Sequence, residues 1–492
     1  MAKPTYISMK ELSEILNRNR PISDIISDLQ RKSTTPPNWK ELKKHIDPNG
    51  HEIKHDRTQR RDRVIETDNG SFVEEAARIA LPLEALLIDR INQFTFTIPV
   101  KREYMNVEDS EARKAIAFAM EKIYEEVDID AVNIARGKDY FTTCEMFTLW
   151  YTVKSPNTLY GFESQYKLKC RTFSPQDENV KLYPIIDEYG DMLVMSVAYK
   201  GRVADEEVDF FETWTKDRHY RWKSKTGEGW TDEIYETIAE SGIEYGNEVS
   251  IGKIPGIYAW KKDPTVKEGT TELRKDAEYK HSEQSDILAY NVAPLIKVVG
   301  KMLGDEKKYE SRRLIRVEQG GNVEYVSWNQ ATQAADSHTQ RNMDWFWMFN
   351  QMPDVSFKNL QGMGNIGYDA RQMMFTDAFL RVGEESKPLL QFMRRESNVI
   401  KAFLKEMNKR WKPEDIDAIT VKHTITPYIP KDEKYEIEKR LSANGGKPIE
   451  SQRESIARYG KSKDVDRTLE EMQRESESEQ AARMANLMEG AV

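Results

Sequence analysis

The chain has 492 residues, 32% of them charged and 38% hydrophobic, a length that predicts two to four domains. Its polar N-terminus, its two cysteines (Cys144 and Cys170) and the lack of any run of about 18 apolar residues predict a soluble, unsecreted protein in a reducing compartment. The net charge of −9 excludes a protein that grips DNA along its whole surface, although DNA could pass such a protein without sticking.

Residues 1–66 are predicted to form a peripheral N-terminal arm. Apolar residues at helical spacing between Leu12 and Leu29 indicate a helix, and the stretch from Lys40 to Arg63 holds eight basic and five acidic residues. That local positive charge fits contact with nucleic acid or an acidic partner, and it fits a solvated arm as well. His45, His51 and His55 have no cysteine near them, so we predict no zinc site.

The next segment is predicted to be an α+β domain. Its pattern indicates a helix from Ser71 to Asn92 and then a strand with Phe94, Phe96 and Ile98 on one face. Further helices, an apolar run and strands are predicted at 109–126, 129–145, 147–153, 166–173, 192–199, 208–214, 219–223 and 251–260. The aromatic residues of these strands (Phe210, Trp214, Tyr220 and Trp222) could stack on bases, but cross-strand packing is the favoured interpretation.

A helix, a β-hairpin and a second helix are predicted over 285–352. Apolar spacing indicates the first helix over 285–303, with a kink at Pro294. Two β-rich runs, 313–317 and 323–327, flank the turn at 319–322, where Gly320 and Gly321 supply positive φ. Ser327 and Gln330 form a capping box that begins the second helix, and Pro353 ends it.

The far end of this second helix is apolar on every face, through Met343, Trp345, Phe346, Trp347, Met348, Phe349 and Met352. A helix of this kind is normally buried on all sides, so we expect other domains or identical neighbouring chains to cover it. A glycine-rich loop follows over 353–367, with Gly362, Gly364 and Gly367 and only two charges, Asp354 and Lys358.

The C-terminal part is predicted to be mostly helical. A long helix, broken or bent around Gly383 and Pro388, runs to Arg410, and a strand follows over 419–425. A helix is expected over 431–441, and Ser451 with Glu454 forms a second capping box. The acidic tail, 464–492, is predicted to be a helix that frays into disorder.

Motifs for catalysis are absent from the sequence. It contains no GxxxxGK[ST], HExxH, GxSxG or paired CxxC motif, and the glycines at 362–367 have the wrong spacing for a dinucleotide fingerprint. We therefore predict no enzyme activity, no catalytic residue, no metal and no cofactor.

The order of these elements resembles that of portal proteins of tailed double-stranded DNA bacteriophages, of the long-tailed siphovirus type. Residues 83–99 (LEALLIDRINQFTFTIP) resemble the early helix-to-strand passage of that family, and 168–199 with 208–222 resemble its β-rich wing. The helix, hairpin, helix and glycine-rich loop resemble stem, clip, stem and tunnel loop. Residues 424–432 (TITPYIPKD) and the Glu-rich end resemble the closing segment of the family.

The resemblance implies a portal architecture with these boundaries: N-terminal arm 1–66, α/β wing 67–284, stem helix 285–303, clip hairpin 304–326, second stem helix 327–352, tunnel loop 353–367, long helix and return strand 368–426, helical crown and acidic tail 427–492. It implies a ring of twelve subunits at one capsid vertex, in the virion and, during assembly, in the host cytoplasm. DNA would pass through the ring during packaging and ejection. Partners would be the capsid and scaffolding proteins, the large terminase and head-tail adaptor proteins, with no membrane.

Candidate site residues follow from that picture. The tunnel loop near DNA would present Lys358, Asn359, Gln361, Gly362, Gly364 and Asn365. The clip would dock the motor through Arg313, Arg316, Glu318, Gln319, Asn322 and Glu324. Neighbouring subunits would meet at Trp345, Phe346, Trp347 and Phe349. Two alternatives stay open: another virion ring or adaptor protein, and a divergent nucleic-acid-processing enzyme.

Overall fold

The computed structural model describes residues 7–17, 19–33, 38–67, 70–108, 110–203, 206–225, 228–232, 251–291, 295–299, 322–326, 329–354, 373–428, 442, 451–459 and 465–489. Two compact units divide the chain: the first comprises Met1–Gly364 with Met373–Tyr428, and the second Asn365–Gln372 with Ile429–Val492. None of the described helices is long and apolar enough to cross a membrane.

The described helices are α1 (Met9–Ile15), α2 (Ile22–Lys32), α3 (Trp39–Ile46), α4 (Glu52–His55), α5 (Leu83–Phe96), α6 (Glu111–Glu126), α7 (Ile129–Thr143), α8 (Thr270–Asn291), α9 (Asn329–Phe349), α10 (Thr376–Met407), α11 (Pro413–Ala418), α12 (Gln452–Tyr459) and α13 (Val465–Glu489), with a 3-10 turn at Pro48–Gly50. The strands are β1 (Arg63–Thr67), β2 (Gly70–Glu74), β3 (Lys101–Met105), β4 (Glu145–Asn157), β5 (Ser164–Phe173), β6 (Lys181–Ile186), β7 (Met192–Val203), β8 (Glu206–Trp214), β9 (His219–Lys225), β10 (Thr231–Asp232), β11 (Gly256–Trp260), β12 (Leu295–Val299), β13 (Asn322–Val326) and β14 (Thr420–Thr424).

The fold class is mixed helix and sheet, as predicted, and the described strands form small antiparallel sheets. A five-stranded sheet has the order β10-β9-β8-β7-β6, and a three-stranded sheet has the order β11-β4-β5. Three two-stranded pairs complete the set: β1 with β2, β3 with β14, and β12 with β13.

The five-stranded sheet has a buried layer on each face because alternate side chains of a strand point in opposite directions. One face, with Val194 and Phe211, packs against Leu12 and Leu29 of helices α1 and α2. The other face, with Trp214, packs against the three-stranded sheet. Helices α1 and α2 therefore form part of the core, which corrects the expectation of a peripheral arm over residues 1–66.

The strand aromatics pack on one another. Phe210, Trp214, Tyr220 and Trp222 are all buried, and the stacked Tyr199 and Phe210 rings, on paired positions of β7 and β8, lie 5.2 Å apart. Cross-strand packing is thus the role of these side chains, and they are not available to bases.

The start of the α+β domain differs from the prediction. Residues 70–74 form strand β2, and the predicted strand at Phe94 and Phe96 belongs to helix α5, which begins after Pro82. The alternation was misleading because α5 is buried on nearly every face, so apolar residues recur at both spacings. The strand comes later, as β3. The predicted helices at 109–126 and 129–145 are confirmed as α6 and α7, and the predicted strands between 166 and 260 are confirmed as β5, β7, β8, β9 and β11, whereas β6 and β10 were not predicted.

The predicted stem helix over 285–303 is also corrected. Helix α8 begins at Thr270 and ends at Asn291, and residues 295–299 form strand β12, which pairs with β13. The buried face of α8 carries charged residues, Arg274 and Glu278, so its first half shows no apolar periodicity. The predicted hairpin strand at 313–317 lies outside the described residues.

The later helices largely follow the predictions. The second helix is confirmed as α9. Helix α10, predicted to be broken or bent around Gly383 and Pro388, runs through both residues as one helix without a break. The return strand is confirmed as β14. In the second unit, Ser451 and Glu454 form the predicted capping box, each accepting from the backbone N–H of the other, and the acidic tail is helical over α13. The predicted helix at 431–441 lies outside the described residues.

Candidate subunit interface

The C-terminal end of helix α9 is divided between a buried face and an exposed face. Phe346 and Trp347 are buried in the main core and contact each other edge to face, with ring centroids 5.4 Å apart. Trp345, Met348 and Phe349 face outward. Of the four predicted interface aromatics, the chain therefore covers Phe346 and Trp347 itself, and only Trp345 and Phe349 remain available to a neighbour.

Arg90 of α5 fixes this helix end. Its guanidinium lies 4.1 Å from the centroid of the Trp347 ring, and it donates hydrogen bonds to the Pro353 carbonyl (3.0 Å) and to Asp354 Oδ1 (3.1 Å). A guanidinium that lies over the face of an indole and pairs with a carboxylate fixes the position of both groups. The start of the glycine-rich loop is thus anchored to helix α5.

Helix α9 ends at Phe349, and two residues later Gln351 has a left-handed φ of 55° that prevents the helix from continuing. The Met352 N–H donates to the Trp347 carbonyl at 3.1 Å. Buried Asn350 donates from Nδ2 to Thr270 Oγ1 at 3.2 Å, at the first turn of α8. The same helix end is therefore held against α8 as well as α5.

An exposed group of large apolar side chains, hereafter the apolar patch, lies at the end of α9 and the start of α10. Its members and exposed fractions are Trp345 (42%), Met348 (54%), Phe349 (49%), Met373 (74%), Met374 (53%) and Leu380 (59%). Met348 and Met374 line the same cavity, so the two helix ends are adjacent. Several exposed apolar side chains grouped in this way indicate a surface that another protein covers.

The cavity beside the apolar patch has a volume of about 290 Å³. Its apolar lining comes from Trp347, Met348, Met352, Pro353 and Met374, and its carboxylates come from Asp344, Asp354 and Asp377. It lies between the residues that precede the predicted tunnel loop and those that follow it.

Of the predicted clip and tunnel-loop residues, the structure describes only two. Asn322 and Glu324 lie on strand β13, where Glu324 is opposite Lys297 of β12. The clip residues Arg313, Arg316, Glu318 and Gln319 lie outside the described residues, as do the tunnel-loop residues Lys358, Asn359, Gln361, Gly362, Gly364 and Asn365.

Sequence reasoning missed a buried ionic cluster that joins the N-terminal segment, α5 and α8. Arg274 Nε donates to Glu84 Oε1 at 2.9 Å, and Arg274 also pairs with Glu278. Glu278 contacts His51 Nδ1 at 2.6 Å and accepts from the Leu81 N–H at 2.7 Å. Burial raises the pKa of the Glu84 carboxyl against the opposing effect of Arg274. The paired charges hold His51 in the core, and no sequence pattern indicates such a pairing.

A second buried cluster attaches helix α10 to the wing. Arg136 of α7 forms two hydrogen bonds with Glu396, at 2.6 and 2.8 Å, and Trp150 Nε1 donates to Glu396 at 3.0 Å. Beside them, Ser397 shares hydrogen bonds with Tyr124 and His423. Burial lowers the pKa of the His423 imidazole to about 4. Two-point guanidinium–carboxylate contacts specify one orientation of α10.

The described residues contain no group of three or more His, Cys, Asp or Glu side chains placed to hold a metal ion.

Comparison with known proteins identifies one family. The family described as "Phage portal protein, SPP1 Gp6-like" matches residues 37–482. No curated protein matches the chain. Among solved structures, the chain is similar to one titled "Neck of native GTA particle computed with C12 symmetry", with 8% identity, a TM-score of 0.36, and coverage of 91% of this chain and 97% of that one. It is also similar to "Neck of empty GTA particle computed with C6 symmetry", with 11% identity, a TM-score of 0.33, and coverage of 77% and 89%.

Proposed function

The chain belongs to the SPP1 Gp6-like phage portal protein family, and we propose that it forms a ring of twelve subunits at one vertex of a phage capsid. The double-stranded DNA genome would enter through this ring during packaging and leave through it during ejection. The observation that carries the proposal is the family match over residues 37–482, because it includes every element from α3 to most of α13.

The surface of the subunit supports self-association. A chain with a net charge of −9 exposes six large apolar side chains together in the apolar patch. Closed rings form by contact between two different surfaces of identical subunits, repeated around an axis. Burial of the apolar patch against the next subunit would supply part of the free energy of that contact.

The charge of the protein supports passage of DNA without tight binding. Proteins that hold DNA tightly neutralise phosphates with many Lys and Arg side chains and release counterions. The acidic balance of this chain disfavours such binding over the surface as a whole. In the tunnel loop, Lys358 is the proposed phosphate contact, and its neighbours Asn359, Gln361 and Asn365 would face the duplex as neutral side chains.

We assign the remaining partners by position in the chain. The segment 304–326 would form the clip that docks the large terminase during packaging and the head-tail adaptor proteins afterwards. The wing would face the capsid and scaffolding proteins. The location would be the virion, with assembly in the host cytoplasm.

Negative-stain electron microscopy of the purified chain, with mass photometry of the same sample, tests the proposal. The expected result is a ring with a central channel and a mass about twelve times that of the subunit. Monomers or dimers at all protein concentrations and salt conditions would overturn it. Rings without a channel would indicate a different virion ring protein.

A further inference from the structure

The cavity beside the apolar patch combines an apolar floor with unpaired negative charge. We propose that it binds a cationic side chain of the adjacent subunit, and that the exposed basic residues of helix α10 supply it. The inference rests on the proposed ring and adds to it one specific contact between two surfaces of the subunit.

The cavity already shows the chemistry that recognises a guanidinium. Arg90 of the same chain covers the Trp347 ring at 4.1 Å and donates to Asp354. Met348 and Met374 line the same cavity as Trp347 and add to its apolar surface. Flat, weakly hydrated guanidinium groups and the methylene chain of lysine both pack on such a surface while their charge meets a carboxylate.

Two of the three cavity carboxylates have no cationic partner in the part of the chain that the structure describes. Asp344 accepts a hydrogen bond from the Gln340 amide at 2.8 Å. Asp377, in the first turn of α10, has no Lys, Arg or His within 4.0 Å among those residues. Water satisfies such carboxylates on a free subunit. When a neighbour buries the apolar patch, water is removed, and a carboxylate left there without a cation would disfavour the contact.

The complementary charge lies farther along the same helix. Lys387, Arg394 and Arg395 are exposed on α10, and within the described ranges none of them has a carboxylate within 4.0 Å. Lys387 and Arg394 are seven residues apart and therefore lie on one face of the helix. Hereafter these three residues are called the basic stripe.

The basic stripe of a subunit cannot fill the cavity of the same subunit. Asp377 and Arg394 are 17 positions apart on one helix, which corresponds to roughly 25 Å along its axis. An arginine side chain spans much less than that distance. The cavity of one subunit can, however, meet the basic stripe of the next subunit. Each subunit then uses its cavity once and its basic stripe once, as a closed ring requires.

The test compares charge variants of the full chain. In the first variant, Asp344→Asn and Asp377→Asn remove two charges from the cavity. The matched control carries Glu14→Gln and Asp24→Asn, which are exposed carboxylates on α1 and in the first turn of α2. Mass photometry across a protein dilution series and a NaCl series measures the ring fraction. We expect the cavity variant to associate on the order of tenfold more weakly, with a flatter salt dependence, while the control matches wild type.

A charge exchange identifies the partner surface. Asp344→Lys with Asp377→Lys should reduce ring formation, and so should Arg394→Glu with Arg395→Glu. The chain that carries all four changes should form rings again, because at every interface the cavity is then basic and the stripe is acidic. Failure of this recovery would overturn the assignment of the basic stripe.

The outcomes separate this inference from the proposed function. If the wild-type chain forms rings and the Asp344→Asn/Asp377→Asn variant forms them equally well at every salt concentration, the proposed contact is wrong and the portal assignment stands. If Lys358→Ala alone reproduced the effect of the carboxylate variant, the occupant would be Lys358, and the basic stripe would be excluded. A wild-type chain that never forms rings would overturn both.

Discussion

The guanidinium of Arg90 lies 4.1 Å from the centre of the Trp347 ring, so helix α5 of the wing holds the last turn of helix α9 directly. The same Arg90 also pairs with Asp354, the second residue of the glycine-rich loop. One side chain thus connects the wing, the aromatic helix end and the start of the loop. Trp345, two positions earlier, has no part in this contact and faces outward.

Replacement of Trp347 by alanine should destabilise the subunit itself. The side chain is buried between Arg90 and Phe346, and removal of a large buried aromatic costs about 3–5 kcal/mol. Urea titration of the subunit under dissociating conditions measures the free energy of unfolding. An unchanged unfolding midpoint would show that Trp347 is not part of the core.

Replacement of Trp345 and Phe349 together by alanine should weaken assembly and leave unfolding of the subunit nearly unchanged. Both side chains are half exposed within one subunit and become buried only in the proposed contact. Ring dissociation on dilution, followed by mass photometry, measures the effect. Tyr189→Ala is the control, since Tyr189 is 83% exposed in a turn. If the rings of wild type, the double variant and the control dissociated at the same concentration, the apolar patch would not be part of the interface.

Deletion of residues 359–365 should leave ring formation intact and impair DNA packaging or retention. Asp354 is held by Arg90 independently of the loop, so the anchors of the neighbouring helices persist. Electron microscopy of the purified variant reports assembly, and DNA protected from nuclease in infected cells reports packaging. Loss of rings on deletion would instead make the loop a structural brace.

Glu396→Ala should destabilise the first unit by about 3–5 kcal/mol, because it leaves the buried Arg136 guanidinium without its carboxylate. Urea unfolding followed by tryptophan fluorescence also reports on Trp150, which donates to the same carboxylate. A matched surface change, Glu283→Gln, breaks the exposed pair with Lys280 and should have little effect. Similar small effects of both changes would contradict a structural role for the Arg136–Glu396 pair.

His423 should make the first unit less stable in mild acid. Burial lowers the pKa of this imidazole to about 4 in the folded chain, against about 6.5 in the unfolded chain. Between those values the unfolded chain binds more protons, so stability is complete above about pH 6.5 and decreases as the pH falls towards 4. His423→Gln should therefore lose less stability than wild type over this interval, as measured by thermal unfolding at several pH values. Parallel pH curves for the two proteins would exclude His423 as the cause.

Local signals in the sequence predicted the elements that depend on local chemistry. The Ser451–Glu454 capping box is satisfied by atoms three residues apart. Helix α9 and strands β7 to β9 follow simple apolar periodicity, so their types were predicted correctly. The family resemblance, confirmed by the match over residues 37–482, came from the order of such elements.

Features that depend on distant partners could not be predicted in this way. Helix α8 was placed 15 residues too late because its buried face holds Arg274 and Glu278, whose partners Glu84 and His51 lie far away in sequence. For the same reason the sequence showed an aromatic helix end but could not separate Trp347, which Arg90 covers, from Trp345. The cavity arises only when α9 and α10 are brought together.

Strand β3 pairs with β14, and Met105 lies opposite Thr420 in that ladder, about 315 residues later in the chain. During synthesis β3 therefore leaves the ribosome before β14 has been made, and its edge is unpaired until then. At typical bacterial elongation rates the delay is roughly 15 to 60 seconds. Helices α10 and α11, which precede β14, are completed in the same interval. Strand β3 can therefore complete its pairing only after residues up to Thr424 have been synthesised.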